Sequence, residues 1–325
     1  MEENNMQSPK KVICCKLKDT EKLMASQSGG AFTAIATAFL KCGGIVYGCE
    51  MDNSNQAVYK RIDHIEKLEE IKGSKYVQAK LGNTYAGIEA DLKLGRIVLF
   101  SGTPCYVMAV KQYFSRSKFY YNLYTVDLIC HGVPSPRVYN SYLHYLERKM
   151  KSKIKEFIFR DKIGGGWHKH VEKIIYENGK IEYRDGYTQL FYTNLPLRRS
   201  CGECPFSTIK RCGDFTVGDF WGVQDVLPEF DDNKGVSLLF FNNDRALERF
   251  DSFKEMLKYQ EISVTDAVRQ PNLKGHSVIP KNVNAFWRDF QKKGIGYCIS
   301  FYSPAGIPFR IKRKIKYIYS KVTRK

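Results

Sequence analysis

Three cysteines in the second half of the chain are spaced as metal ligands often are. They occur as C-x2-C-x7-C, at Cys201, Cys204 and Cys212. A short C-x2-C turn lets two thiolates face one metal centre, and a third ligand can follow after a brief loop. Pro205 follows Cys204 directly, and a cysteine–proline step is common in iron–sulfur loops. The segment therefore predicts a sulfur-ligated metal site.

A fourth ligand has to come from another part of the chain, and Cys130 is the best candidate. It ends the apolar run 126–130 and is followed by His131, a pattern typical of a buried strand that opens into a loop. Spacing alone leaves three interpretations open. They are an iron–sulfur cluster, a tetrahedral zinc site, and thiols that hold no metal.

Two loops have the composition of anion-binding segments. Ser28-Gly29-Gly30 precedes a strong helix signal over residues 31–40, and small residues at a helix start let backbone N–H groups approach an anion. Residues 72–78 place two lysines around a Gly-Ser pair, which suits a phosphate or a reduced anionic cofactor. By composition alone, a capped helix and a solvated loop are the more ordinary interpretations.

The coarse pattern predicts how these segments are positioned. Strand signals at 12–17, 45–49, 97–101 and 126–130, separated by helix signals, predict an α/β layer. The strand–loop–helix pattern around residues 102–105 would place ligands at the carboxyl end of a parallel strand. Beyond residue 150, hairpin and glycine-turn signals are typical of an α+β region.

We therefore expect an α/β plus α+β fold, with a mixed sheet layer, helices and an inserted iron–sulfur loop. The expected division has four parts: a flexible leader (1–11), an α/β region (12–150), an α+β region that carries the cysteine loop (151–300) and a basic tail (301–325).

Composition limits the class of protein. The chain has 325 residues, of which 43% are hydrophobic, so it can bury a core. It contains no run of roughly 18 apolar residues and no apolar stretch behind its N-terminal charges. We therefore expect a cytoplasmic protein in a reducing compartment.

The charge predicts an anionic partner. Lys and Arg number 52 against 34 Asp and Glu, a net charge of +18. Eight of the cations lie in residues 301–325, interleaved with apolar side chains. That tail would suit a basic amphipathic helix on the anionic inner face of a membrane, or packing on the body or on an acidic partner. No nucleic-acid reader motif accompanies the charge, so we expect no specific nucleic acid.

Taken in order, these segments resemble the coenzyme F-420 hydrogenase/dehydrogenase beta-subunit family, whose bacterial members are often associated with polysaccharide biosynthesis. The segments that carry the resemblance are 28–30, 73–77, 101–105, 127–136, 159–162, 166–167, the C-x2-C-x7-C motif and 218–222.

The resemblance implies two cofactors, a 4Fe–4S cluster and a flavin, usually FAD (or FMN). It favours iron–sulfur over zinc at Cys130, Cys201, Cys204 and Cys212, with Cys105 as an alternative to Cys130. It implies that residues 12–150 bind the flavin, and the implied contacts are Ser28, Gly29, Gly30, Gly73, Ser74, Lys75, Tyr76, Gly102, Thr103, Pro104 and Cys105.

The function that follows is a flavin- and 4Fe–4S-dependent oxidoreductase or electron-transfer subunit, because a flavin links two-electron and one-electron chemistry. Lys75 would stabilise an anionic reduced flavin, and His131 would relay protons. Many bacterial relatives carry an N-terminal ferredoxin-like module whose cysteine runs do not occur here. The expected partner is therefore an external electron carrier, ferredoxin-like or another redox protein.

One alternative belongs to a different class of protein. A non-catalytic accessory module, with zinc or a structural cluster, could serve a polysaccharide-biosynthesis assembly at the membrane surface.

Overall fold

The computed structural model describes residues 6–304. The prediction that the basic tail binds an anionic membrane surface falls almost entirely on residues 305–325, which lie outside the described residues, as do residues 1–5. The strands are β1 (Lys11–Leu17), β2 (Ile45–Met51), β3 (Ala57–Ile62), β4 (Val98–Gly102), β5 (Leu123–Leu128), β6 (Ile154–Ile158), β7 (Glu172–Tyr176), β8 (Ile181–Arg184), β9 (Phe215–Asp219), β10 (Ser237–Phe241) and β11 (Leu257–Glu261).

Helices connect and cover these strands. They are α1 (Thr20–Ala25), α2 (Ala31–Lys41), α3 (Leu68–Ile71), α4 (Thr84–Lys93), α5 (Pro104–Phe114), α6 (Pro136–Met150), α7 (Gly186–Phe191), α8 (Val223–Val226), α9 (Asp244–Arg249), α10 (Val264–Ala267) and α11 (Val283–Tyr302). Within residues 6–304, none of these helices combines the length and the apolar character needed to cross a membrane.

A mixed eight-stranded sheet forms the centre, in the order β11-β1-β10-β9-β5-β4-β2-β3. The four neighbours β9, β5, β4 and β2 run parallel, and the flanking strands pair antiparallel. The parallel strands therefore end at one common edge, where ligands bind in open α/β sheets. The predicted mixed sheet layer with helices is confirmed.

Both faces of the sheet are covered because its strands are apolar on both sides. In β1, Ile13 and Cys15 pack under the alanine-rich helix α2, whereas Val12 and Cys14 face the opposite layer. Helices α4 and α5 cover the other face of β2, β4 and β5. Near-continuous apolar runs of this kind are typical of strands buried on both faces.

A second, three-stranded sheet, β6-β7-β8, packs against α6, α7 and α11 around an aromatic core. The eight-stranded sheet takes strands from both sides of residue 150, because β1 lies between β10 and β11 and β5 lies beside β9. The division at residue 150 stays a prediction. The connection from α7 to β9 carries the three cysteines of the C-x2-C-x7-C motif.

Candidate functional site

A cavity of about 330 Å³ opens at the edge where the parallel strands end. Segments 26–33, 71–79, 101–106 and 128–133 line it, although they are far apart in the sequence. The structure thus brings together most of the residues predicted to bind a cofactor. Those that line the cavity are Ser28, Gly30, Gly73, Ser74, Lys75, Tyr76, Gly102, Thr103, Cys105, Cys130 and His131.

Close packing and backbone conformation require glycine in the Ser28-Gly29-Gly30 loop. A Cβ at Gly29 would lie 2.1 Å from the Cys15 carbonyl oxygen and 2.5 Å from the Ser237 nitrogen, so only glycine fits between β1 and β10. Gly30 has φ +83° and is the N-cap of α2, a conformation that glycine adopts readily. The result is that the first turn of α2, from Gly30 to Thr33, faces the cavity.

Gln27 connects the Ser28-Gly29-Gly30 loop to the 73–76 loop by a hydrogen bond, and no motif in the local sequence predicts this contact. Its Oε1 accepts from the Ser74 backbone N–H at 3.1 Å. Its Nε2 donates to the Arg160 carbonyl oxygen at 3.2 Å. Gln27 therefore fixes the 73–76 loop against the start of α2, a role that depends on tertiary structure alone.

Lys162 anchors the Ser28-Gly29-Gly30 loop. Its Nζ donates to the carbonyl oxygens of Leu23, Ser28 and Lys234, at 2.6, 3.1 and 2.7 Å. Burial lowers the pKa of this ammonium to about 8, since a low-dielectric site disfavours the charged form. Lys162 lies in one of the segments that carry the family resemblance, but its contacts could not be read from the sequence.

Lys75 brings a second, half-buried cation to the cavity. Its Nζ donates to the Lys72 carbonyl oxygen at 2.5 Å. Burial lowers the pKa of the ammonium to about 8, against the opposing influence of Cys49 and Glu50. Lys75 forms no ion pair with the carboxylates of residues 6–304, so its charge is available to an anion in the cavity.

Two of the predicted thiols line the cavity, and Cys201 lies against Gly132 in its wall. Cys105 and Cys130 line it, and the Cys201 Sγ accepts from the Val133 backbone N–H at 3.4 Å. Burial raises the pKa of Cys130 to about 12, and repulsion from Cys105, Cys201 and Cys204 contributes to that rise. The four sulfurs are therefore electrostatic neighbours.

Cys212 lies elsewhere, in the core beneath α5. Its Sγ donates to the Asp127 carboxylate at 3.2 Å and lies 3.4 Å from the carbonyl oxygen of Pro104, a buried residue at the start of α5. Burial raises the pKa of this thiol, and Asp127 raises it further. The structure therefore does not bring Cys212 together with Cys130, Cys201 and Cys204.

A buried ion pair ties the cysteine segment to the end of β5. Arg211 and Asp127 are 2% and 0% exposed, and an Arg211 Nη lies 3.0 Å from an Asp127 oxygen. Arg211 also donates to the carbonyl oxygens of Phe206, Thr208 and Leu128. This pair holds the 201–212 segment against the strand that leads to Cys130.

The described residues contain no group of three or more His, Cys, Asp and Glu side chains placed to hold a single metal ion. A structural zinc ion needs four ligands within about 2.3 Å of one point. A 4Fe–4S cluster distributes its four thiolates over four iron atoms. The two kinds of site therefore require different separations of the four sulfurs.

His131 lies beside Cys130 and lines the cavity. Its Nε2 is 2.7 Å from the Asn194 Oδ1, and its ring packs edge-on against Phe191 and Tyr192. Burial lowers the pKa of the imidazole. Its predicted role as a proton relay stays a prediction.

Two stacked tryptophans, Trp167 and Trp221, form an aromatic wall at the cavity. Trp221 lines the cavity and stacks on Trp167, with ring centroids 4.9 Å apart. Arg160 lies over the Trp221 ring and pairs with Asp219 at 2.6 Å. The sequence indicated this wall only through the resemblance of segments 159–162, 166–167 and 218–222 to the family.

Comparison with known proteins agrees with this architecture. The structure is similar to a chain of the F420-reducing [NiFe] hydrogenase complex from Methanosarcina barkeri, with a TM-score of 0.56 and 16% sequence identity. The match covers 90% of this chain and 96% of that chain, and at this identity it shows the fold alone. No curated protein matches the chain.

The sequence model for the C terminus of the coenzyme F420 hydrogenase/dehydrogenase beta subunit matches residues 95–267. That range is more than half of the chain, and it includes Cys105, Cys130 and the C-x2-C-x7-C motif. The chain therefore belongs to the coenzyme F420 hydrogenase/dehydrogenase beta-subunit family.

Proposed function

We propose that the chain is a flavin- and 4Fe–4S-dependent electron-transfer subunit of an oxidoreductase. Membership of the family supports oxidoreductase and electron-transfer chemistry in general. The observation that carries the specific proposal is the position of Cys105 and Cys130 on the wall of the cavity that Lys75 and the first turn of α2 also line. A sulfur-ligated cluster and an anionic cofactor would thus share one site.

The residues of the cavity suit a flavin nucleotide. The first turn of α2 offers backbone N–H groups to phosphate. The unpaired ammonium of Lys75 suits an anionic group. At the aromatic wall, the buried Nε of Arg160 has no hydrogen-bond partner among the described residues. When bound, the flavin would supply the conversion between two-electron and one-electron transfer.

We assign the cluster to Cys105, Cys130, Cys201 and Cys204. This set keeps three of the four ligands predicted from the sequence and replaces Cys212 by Cys105. The reason is that Cys105 contributes to the raised pKa of both Cys130 and Cys201, whereas Cys212 bonds to Asp127. When bound, the cluster would carry single electrons.

The remaining side chains position this site. The Arg211–Asp127 pair fixes the segment that carries Cys201 and Cys204 relative to Cys130. Gln27 and Lys162 fix the loops that face the proposed flavin. Lys75 would hold positive charge beside the reduced cofactor.

The test is anaerobic isolation of the wild-type chain and three variants, with visible spectra and iron, sulfide and flavin analysis. We expect Cys105→Ser and Cys204→Ser to lose the iron–sulfur absorbance and Cys212→Ser to keep it. Loss in Cys212→Ser with retention in Cys105→Ser would restore the ligand set predicted from the sequence. A colourless wild-type protein that contains zinc would exclude the redox proposal and favour the accessory module.

A further inference from the structure

A segment without regular secondary structure covers the cysteines on the outer surface of the protein. We call residues 274–281 the strap. The Ser277 Oγ donates to the His131 carbonyl oxygen at 2.5 Å. The Asn194 Nδ2 donates to the Val278 carbonyl oxygen at 3.0 Å. Asn194 also contacts the His131 ring, so the strap is anchored to the loop that follows Cys130.

The strap also packs directly on the turn that carries Cys201. A Cβ at Gly202 would lie 2.4 Å from the Ile279 Cγ1, so glycine is needed for this close approach. The strap and residues 198–203 therefore form one continuous surface outside the proposed cluster ligands. We call this surface the docking face.

The docking face is strongly cationic. Arg198, Arg199, Lys274 and Lys281 are exposed. No hydrogen bond or ion pair within the described part of the chain engages any of these four side chains. The strap contains no acidic residue, and Glu203 is the one acidic residue in 198–203. The positive charge is thus not compensated locally.

An apolar side chain projects from the strap, between Lys274 and Lys281 in the sequence. Val278 is 73% exposed, although its backbone is held by Asn194. An apolar contact surrounded by charge is the usual anatomy of a transient protein interface. Arg199, Lys274 and Lys281 do not line the cavity, whereas Arg198 does. The charge is therefore arranged for a partner outside the cavity rather than for a small molecule within it.

We propose that the docking face binds an acidic electron-carrier protein. Opposite charges steer the carrier to the surface above Cys201, and Val278 provides the apolar contact. When bound, the cluster would exchange single electrons with the carrier, so that one would be oxidised as the other was reduced, and no bond would form or break. This inference rests on the proposed function for the electron transfer, but the binding step can be measured without it.

The test uses a small acidic ferredoxin as the probe and measures binding by calorimetry at low and at physiological ionic strength. We expect Arg199→Glu/Lys281→Glu to weaken binding at least about tenfold and to reduce its dependence on salt. Lys274→Glu/Lys281→Glu should do the same while leaving residues 198–203 unchanged. Melting curves of both variants establish that they are folded.

The matched control is Arg116→Glu/Lys118→Glu, which reverses the same number of exposed charges. These residues follow the C-terminal end of α5, whereas the N-terminal end of that helix lines the cavity. We expect this variant to bind the ferredoxin as the wild type does. Equal weakening in all three variants, or no binding of ferredoxin by the wild type at low salt, would overturn the proposal. So would preferential binding of the docking face to vesicles of anionic lipid, since a membrane would then be its partner.

Ferredoxin binding and electron transfer can fail separately. A chain that binds ferredoxin through the docking face but holds no cluster or flavin would retain the interface and lose the proposed function. A chain that holds both cofactors but binds ferredoxin equally well when the face is reversed would retain the function and lose the interface.

Discussion

Two regions of the molecule bury positive charge in different ways. Beneath the cysteine segment, the guanidinium of Arg211 is paired with Asp127 at 3.0 Å. Beside the cavity, the ammonium groups of Lys75 and Lys162 donate only to backbone carbonyl oxygens. A buried charge without a counter-charge is costly unless something compensates it.

The difference indicates that the Arg211 charge stabilises the fold, whereas the Lys75 and Lys162 charges suit the binding of an anion. The charge of Arg211 is satisfied within the protein and has nothing left to offer a ligand. Burial lowers the pKa of Lys75 and of Lys162 to about 8, and the negative charge of a bound anion would offset that desolvation. The folded protein therefore leaves two ammonium groups beside the cavity without an anionic partner.

The largest effect is expected where the paired charge is broken. Arg211→Met leaves the Asp127 carboxylate buried without its cation, and we expect a loss of about 3–5 kcal/mol in the free energy of unfolding. Chemical denaturation of the folded chain measures it. The control is Arg199→Met, an exposed residue without an ion pair, for which less than about 0.5 kcal/mol is expected. Equal losses in the two variants would remove the contrast between the regions.

Glu172 extends the comparison to a buried carboxyl that does not line the cavity. It is 0% exposed, accepts from the Thr188 backbone N–H and the Tyr142 hydroxyl, and has no cation partner in the described structure. Burial raises the pKa of its carboxyl to about 7 from 4.5. Between these two pH values the folded state binds more protons than the unfolded state, so stability falls as pH rises through this window.

The expected size of the Glu172 effect is about 3 kcal/mol across that window. Glu172→Gln should remove it, so that the variant gains stability relative to the wild type between pH 4.5 and 7. Thermal or chemical unfolding of both proteins over this pH range gives the answer. Parallel pH profiles for the two proteins would contradict it.

The smallest effect on stability is expected for Lys75→Gln. Because the lysine has no carboxylate partner and its ammonium is desolvated, its removal should lower the free energy of unfolding by less than about 1 kcal/mol. FAD affinity, measured by quenching of flavin fluorescence, should fall about tenfold, or about 1.4 kcal/mol. The wild-type affinity should also decline above pH 8, as the ammonium loses its proton, and the variant should lack that decline.

The control for Lys75→Gln is Lys118→Gln, an exposed lysine on the surface, which should leave FAD affinity unchanged. Unchanged affinity in Lys75→Gln itself would remove Lys75 from the binding site, whereas a large loss of stability would show that its charge is structural.

Much of the fold could be predicted from local sequence. The apolar runs that form β1, β2, β4, β5 and β10 are apolar on both faces, so their strand character does not depend on partners far along the chain. The loop at Thr103, which directly follows β4, could also be found from its glycine and polar residues, as could the Ser28-Gly29-Gly30 loop before α2.

Helix α6 was not predicted, although a signal existed. Its buried residues Val138, Tyr139, Tyr142, Leu143 and Leu146 follow helical spacing. Two of these five residues are tyrosines, which make the stripe less obviously apolar. Strand β3 was also missed, since only its ends, Ala57 and Ile62, are buried.

The cysteine set shows why local spacing could not complete the site. C-x2-C-x7-C predicts three ligands, but whether Cys212 faces the cavity depends on Asp127, a residue 85 positions earlier. Cys105 lies at the start of α5, where strand–loop–helix spacing gives no indication of a thiol partner. The contacts of Gln27 and Lys162 likewise join segments that only the folded chain brings together.

The position of β1 has a consequence for how the protein is made. This first strand pairs with β10 and β11, whose residues lie more than 220 positions later in the chain. During synthesis β1 has neither neighbour until residue 241 has left the ribosome, and it lacks β11 until residue 261 has done so. Pairing over such a distance closes a long loop before it gains stability, so assembly of the central sheet should be slow. The nascent chain meanwhile exposes apolar strand edges, which makes it a natural client for chaperones.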